Sequence, residues 1–338
     1  MLGYRDLPRD WKMTVHRDIA VIGAGPSGLS AARTLAATGR DVVVIDKGRG
    51  PGGRLSTRRG PEGVRLDHGC QFITLKQAQS TALVQDLMDS GVIARWDPQS
   101  GKDSVKKPFA EPDWPIGVPT MSAVPKWFAK GLDIQCGARI ESIRADGGAW
   151  QLLGSDGIVA SATQLVVAIP SPQAIDLLAP IQPDFLDDMH KATYDPNWTL
   201  LVSDAAHENP APFEVMTPDS GPLGWIANQA SKPQRPSQSA WIAQATSEWT
   251  REHLERPAEE VATLLFQSLQ ELVGGGLVGT PTAHRWRYAL VSQAVGQPCL
   301  VDSARKLVAC GDWCLGPTVG HAIDSGLAAA EAILKTDS

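Results

Sequence analysis

Apolar and polar positions fall into three regimes along the chain. In the first, Ile19-Ala20-Val21-Ile22 is an unbroken apolar run ending in glycine, the pattern of a parallel strand buried on both faces. A helix of small residues follows to about Ala37, and Asp41-Val42-Val43-Val44-Ile45 predicts a second such strand, closed by Asp46. Residues 77–90 carry helical spacing, and 96–127 read as an irregular stretch containing proline and tryptophan. Two strands are expected next, Ala138–Ile143 and Trp150–Leu153, then a buried strand over Leu165–Ile169 stopped by Pro170.

From about 172 to 298 the pattern changes to short alternating strands, such as Trp225–Ala227 and Trp241–Ala245, with a helix over Val261–Val273 and a polar loop from Ser231 to Ser239. The third regime returns to the first, with a buried strand at Leu307–Cys310 and a helix from about Thr318 to Lys335. Buried strands and helices at both ends, with short alternating strands between, predict an α/β unit into which a mainly antiparallel α+β unit is inserted.

The first strand–helix junction carries the candidate chemistry. Gly23, Gly25 and Gly28 fall at G-x-G-x-x-G spacing, with Pro26 and Ser27 between the last two. The three glycines serve a tight turn, backbone approach to a pyrophosphate and close helix–strand packing, and the helix start favours the phosphate charge. Asp46 ends the second strand near the distance at which an acid bonds a ribose hydroxyl. Gly274–Gly279 matches the same spacing but follows a helix rather than a strand, so it reads as a helix stop and loop. After Asp46 comes a loop dense in glycine and arginine, Lys47 to Arg58, suited to wrapping a diphosphate.

Composition narrows the class. The 338 residues allow two domains, and 43% hydrophobic content is ordinary for a globular chain. A net charge of -6 gives no reason to expect nucleic acid or an anionic membrane as partner. The charge is uneven, because residues 1–60 hold 11 Lys/Arg against 5 Asp/Glu, or +6, leaving -12 for the rest. The basic end coincides with the phosphate-binding motif. Five cysteines form no even framework or metal-ligand spacing, which suggests reduced thiols in a cytoplasm. No run is long enough to span a bilayer, and residues 1–12 read as a polar N-terminal extension without a signal core.

The nucleotide motif, the terminal acid, the Gly52-Gly53-Arg54 loop and Asp67-His68-Gly69-Cys70-Gln71-Phe72 together resemble the amine-oxidase-type flavoproteins. Further segments are similar to bacterial renalase-like members of that group, notably Asp46–Gly50, Ala243–Trp249, His284–Ala289 and Cys310–Leu315. The resemblance covers nearly everything from Met13 onward. It implies a Rossmann-type, glutathione-reductase-like FAD-binding domain made of residues 13–76, 131–171 and 299–338. Residues 77–130 and 172–298 would form the inserted substrate domain.

By the same resemblance FAD is bound non-covalently. Its contacts would come from Gly23, Gly25, Pro26, Ser27, Gly28, Asp46, Lys47, Gly53, Arg54, His68, Gly69 and Gln71, from Ile140 near the adenine, and from Gly311, Asp312, Val319, His321 and Ala322 around the last helix start. His68 reads as a ring covering the flavin or a core histidine, with a covalent attachment point for the flavin as the further alternative. Substrate-pocket candidates are Phe72, Trp225, Gln229, Trp241, Gln244, Trp286 and Tyr288, with Trp313 as a further wall and Arg285 either in the pocket or bridging the domains. The implied activity is an oxidase that takes a hydride from aberrant dihydro isomers of NAD(P)H and gives hydrogen peroxide from oxygen.

The substrate side departs from the pattern. The group's histidine is Gln244 here, its Arg-Asn pair is Asn228-Gln229, a tyrosine is Phe72, and a glycine at the last helix start is His321. Oxidation of small amines and flavin binding without turnover stay as alternatives, and the sequence leaves the oligomeric state open. It offers no metal cluster or Ser/His/Asp array, and hydride transfer needs neither.

Overall fold

A computed structural model describes residues 15–74, 78–101, 114–204, 213–274 and 277–336. The N-terminal extension over 1–12 lies outside them. Strand β1 (His16–Ile22) runs into α1 (Pro26–Ala37) and back through β2 (Val42–Asp46). A hairpin of β3 (Thr57–Arg59) and β4 (Arg65–Asp67) follows, then α2 (Ala78–Asp89), a second hairpin of β5 (Ile93–Trp96) and β6 (Trp114–Gly117), and α3 (Ala123–Ala129). The chain returns through β7 (Asp133–Cys136), β8 (Ser142–Asp146), β9 (Ala149–Gly154) and the long β10 (Gly157–Val167).

Two expectations need correction here. The strand over Ala138–Ile143 is not formed, because Gly137 at φ +74° breaks the chain direction and pairing resumes only at Ser142. The stretch 96–127 is more regular than its composition suggests. Trp114 and Ile116 are buried in the second hairpin, and Pro125 sits in the first turn of α3, where a missing N–H costs nothing.

The first sheet runs β16-β17-β10-β1-β2-β7 in space, where β16 is Leu300–Asp302 and β17 is Leu307–Ala309. The strands from β7 to β17 are parallel, and β16 closes the edge antiparallel. Ile19, Val21, Val43, Val44, Leu165 and Val166 are all fully buried, as expected for strands covered on both faces.

After α4 (Ser171–Leu178) and α5 (Leu186–Met189) the chain builds a second, antiparallel sheet in the order β12-β13-β14-β11-β15. Its strands are β11 (Thr193–Asp204), β12 (Val215–Met216), β13 (Leu223–Asn228), β14 (Ser239–Ala245) and β15 (Thr280–Gln293), with α6 (Ser247–Glu252) and α7 (Ala258–Val273) between the last two. One face of this sheet packs on α7 through Leu200, Val202, Ile226, Trp241, Ala243 and Leu265. The other face meets β4 and the turn that follows it, through Leu66, Leu201, Ala240 and Ile242. The chain ends in α8 (Asp312–Leu315) and α9 (Val319–Lys335), which lies against α1. A Rossmann-like nucleotide-binding unit is thus combined with a second, antiparallel unit.

Candidate active site

At the carboxyl ends of β1 and β2 the backbone forms a cradle for a dinucleotide. A Cβ on Gly23 would lie 2.5 Å from the Ala168 carbonyl oxygen, and one on Gly28 would lie 1.9 Å from that of Gly23, so neither site accepts a side chain. A Cβ on Gly25 would meet nothing within 4 Å, which marks the open approach to the helix start. There α1 has no side-chain cap and Pro26 stands in its first turn, so its leading N–H groups remain for an anion. Ser27, the next residue, is buried and donates to the Cys310 thiol sulfur at 3.2 Å. Gly326 lets α9 press on this turn, since a Cβ there would lie 2.1 Å from the Ser27 carbonyl.

The Asp46 carboxylate accepts from Ala24 N and Gly48 N, both at 2.6 Å, and so ties the fingerprint loop to the loop after β2. Gly137 N and Ala138 N bond back to the carbonyls of Gly48 and Asp46, which carries half-buried Ile140 past this corner outside any strand. Exposed Lys47 donates to Gln173 Oε1 at 3.0 Å. Gly53 faces Gly25, whose Cα would lie 3.8 Å from an added Cβ. Arg54 and Asp312 hold each other in a bidentate pair with both contacts at 2.7 Å, and Arg54 also donates to the Ala289 carbonyl. Beyond Gly311, Thr318 caps α9 by accepting from His321 N, and the His321 ring packs over Gly316. Val319 and Ala322 complete that first turn. An uncapped helix start, an open glycine and a carboxylate at the end of β2 fit FAD.

The second sheet presents a row of side chains to the turn after β4. Trp225, Gln244, Thr199 and His284 are successive neighbours across β13, β14, β11 and β15. Gln244 Nε2 donates to the Gly69 carbonyl at 2.8 Å, and the Trp286 indole donates to that of His68 at 2.9 Å. The His68 ring lies 4.9 Å from that of His284 and 5.2 Å from that of Trp286. Burial pushes His68 down to about 4, helped by the neighbouring His284 and Arg58, and burial with Arg58 does the same to His284. Both imidazoles are therefore neutral across the physiological range. Phe72 stacks on Trp114 and lies 5.6 Å from Trp225, forming an aromatic wall, while Tyr288 meets Tyr194 edge-on at 5.5 Å.

Several expected site residues stand elsewhere. Trp241 is fully buried on the α7 face, because strand alternation puts it opposite Gln244. Trp313 is fully buried too and donates to the Ile169 carbonyl. Arg285 points to the far side of β15, where it pairs with Glu255 at 3.0 Å. Gln71 and Gln229 turn away from both cleft and pocket into a buried polar cluster. Gln71 donates to the carbonyls of Asp67 and Gly69, and its Oε1 accepts from Lys232 at 3.2 Å and Gln229 at 3.4 Å.

That cluster corrects the reading of Ser231–Ser239 as merely a polar loop. Lys232 is 2% exposed, and both it and Arg235 pair with Asp67, itself 0% exposed. Asp67 also accepts from Thr57 Oγ1 at 2.6 Å and Met121 N at 3.1 Å. Two cations and one carboxylate leave one positive charge in excess behind the His68–Gly69 turn. The lysine's charge is disfavoured by burial, which lowers it to about 8 against the pull of Asp67. His284, not expected in the pocket from the sequence, joins the site by its period-two spacing with Trp286 and Tyr288.

With cradle and sheet in place, the class is a two-unit flavoprotein. Residues 21–87 match the NAD(P)-binding Rossmann-like domain, and residues 87–334 match the flavin containing amine oxidoreductase family. The chain belongs to that family and is an FAD-dependent oxidoreductase. It is similar to putrescine oxidase of Kocuria rosea, 44% identical over 73 residues, 22% of this chain and 15% of the relative. Menaquinone reductase of Mycolicibacterium smegmatis is 32% identical over 148 residues, 42% of this chain and 30% of the relative. These matches span well under two thirds of either relative's length. Cyclohexylamine oxidase from Brevibacterium oxydans IH-35A shares the fold at TM-score 0.72, with 13% identity over 94% of this chain and 99% of that one. Among the described residues no helix is long and apolar enough to cross a membrane, and no three His, Cys, Asp or Glu side chains gather as a metal site.

Proposed function

We propose that this oxidoreductase acts on a planar dihydropyridine, the class to which aberrant dihydro isomers of NAD(P)H belong. The substrate gives up a hydride and becomes an aromatic pyridinium, and oxygen takes the two electrons with two protons to form hydrogen peroxide. Bound FAD would supply the hydride acceptor and the relay to oxygen. No protein base is needed, because recovery of aromaticity drives the transfer.

The observation that carries this reading is the sign of charge around the pocket. Arg58 stands 3.3 Å from His284, both histidines are neutral, and the cluster behind the turn holds Lys232 and Arg235 against a single carboxylate. Such a field disfavours a cationic amine and tolerates a neutral carboxamide carried with phosphates. Trp225, Trp286 and Phe72 exclude water, and the Gln244 amide orients a polar substituent. Similarity to renalase-like segments supports the same substrate class.

Anaerobic mixing with NADH isomers, and separately with putrescine and cyclohexylamine, tests it. Bleaching of the flavin by an isomer within seconds is the expected result. Bleaching by amines alone assigns the protein to amine oxidation, and bleaching by neither assigns it to flavin binding without turnover.

A further inference from the structure

We propose that His284 is a specificity-determining residue of this site, a neutral hydrogen-bond donor through Nε2 that takes the carbonyl oxygen of a carboxamide, with Arg58 as its positioning residue. The proposal deepens the dihydropyridine reading and rests on it for the identity of the substrate.

The tautomer follows from the partner. A guanidinium can only donate, so the 3.3 Å contact between Arg58 Nη2 and His284 Nδ1 requires Nδ1 to be the bare nitrogen. The single proton of the neutral ring then stands on Nε2. Protonating Nδ1 would set two donors and two positive charges against each other. The titratable groups around the ring are Arg58 from β3 and His68 from the turn after β4, with Asp67 behind it. Glu255 lies on the far face of β15 with Arg285 and Arg287.

The rest of the row completes a carboxamide site. Thr199, between His284 and Gln244, has committed its hydroxyl to Asn197 Oδ1 at 2.8 Å. Gln244 has committed Nε2 to the Gly69 carbonyl, which leaves Oε1 as its acceptor. The Trp225 indole N–H is buried and has no acceptor among the described residues. Both Gln244 and His284 converge on the His68–Gly69 turn, one by a hydrogen bond and the other by ring contact. A carboxamide needs one donor for its oxygen and one acceptor for its nitrogen. His284 Nε2–H and Gln244 Oε1 supply them.

The test uses the flavin-loaded protein with 15N-labelled histidine, followed by long-range 1H–15N NMR. His284 should show a bare Nδ1 and a protonated Nε2, unchanged from pH 5 to pH 8. Arg58→Met should release that bias and populate the tautomer with the proton on Nδ1, while burial keeps the ring neutral. Nicotinamide, used as a carboxamide probe that cannot donate hydride, should shift the Nε2 resonance. In anaerobic flavin reduction by a dihydronicotinamide isomer, His284→Leu should lose about tenfold or more in rate, while His284→Gln, which keeps a neutral donor, should lose little. A proton on Nδ1, an Nε2 resonance that nicotinamide leaves unmoved, or equal rates for His284→Leu and wild type would each overturn the proposal. A shifted Nε2 without turnover of any isomer keeps the carboxamide donor and refutes the substrate reading instead.

Discussion

Replacing Lys232 by methionine should raise the stability of the protein. The ammonium is wholly buried, and its fall from the ordinary 10.5 to about 8 corresponds to roughly 3 kcal/mol against the charged form, at about 1.36 kcal/mol per pKa unit. Methionine removes that cost, fills similar volume and packs its sulfur near Trp96, over which the ammonium now sits at 5.2 Å. The losses are one hydrogen bond to Gln71 Oε1, about 1 kcal/mol, and the 3.4 Å contact to Asp67, whose pull is already contained in the value near 8; Gln71 Oε1 keeps Gln229, and the carboxylate keeps Arg235 and Thr57. The net gain is about 1–2 kcal/mol. With an unfolding entropy of about 2.1 cal/mol/K per residue, 338 residues convert this to a rise of about 2 °C in Tm. Asp67→Asn should do the reverse. It leaves Lys232 and Arg235 buried without a counter-charge, costing about 3–5 kcal/mol, or roughly 4–7 °C. Thermal melts of the holoprotein at several pH values provide the assay. Between about 8 and 10.5 the unfolded chain binds the lysine proton more tightly than the folded one, so this contribution to wild-type stability rises with pH there. The advantage of Lys232→Met should therefore be full below pH 8 and gone near pH 10.5. A variant that melts several degrees below wild type at pH 7, or whose advantage grows with pH, would refute the reasoning.

Two further outcomes follow from the cofactor cradle. Asp46→Ala removes the acceptor that ties Ala24 N to Gly48 N, and titration of the apoprotein with FAD should show about tenfold or more weaker binding. Acid precipitation should leave a colourless pellet and a yellow supernatant, because the Cys70 thiol, which donates to the Phe72 carbonyl, is pushed up to about 11 by burial and is no thiolate nucleophile, and a yellow pellet would refute non-covalent binding.

The nucleotide-binding half was legible because its signals are local. Strand, glycine turn, helix, strand and acid follow one another within about thirty residues, and the structure places Gly23 through Asp46 in that order. The last helix was legible for the same reason, with Thr318 as cap and Lys335 as its final residue. The second sheet was legible as strands but not as faces. It is covered by α7 on one side and by the turn after β4 on the other, so apolar residues occupy both parities and Trp241 reads like Trp225. The polar cluster was hidden for a different reason. Asp67 is joined to Gln229, Lys232 and Arg235 only by tertiary packing across 162 to 168 positions, and a stretch rich in serine and proline looks solvated until its cations are seen to be buried. The break at Gly137 was visible as a glycine, but an isolated glycine does not announce which side of it the strand will form.

A lysine buried beside an arginine with one carboxylate between them calls for a functional account, and the site supplies one. At an effective dielectric of about 20, a unit charge acts on another about 10 Å away with roughly 1.7 kcal/mol, more than tenfold in affinity. The excess cation lies behind the turn whose carbonyls hold Trp286 and Gln244, so its field falls on whatever stacks against that face. An amine oxidase would bind its substrate as a cation or strip a proton from it, and this field opposes the first while neutral His68 and His284 answer to Arg58 rather than to an ammonium. A dihydropyridine that becomes a cation only as hydride leaves meets a milder demand, since its charge develops across an aromatic ring and its phosphates are anionic throughout. Lys232→Met should therefore shift selectivity as well as stability. Relative to wild type, the ratio of flavin reduction rates for amine over dihydronicotinamide should rise, and a ratio that stays fixed while Tm rises would separate the stability argument from the electrostatic one.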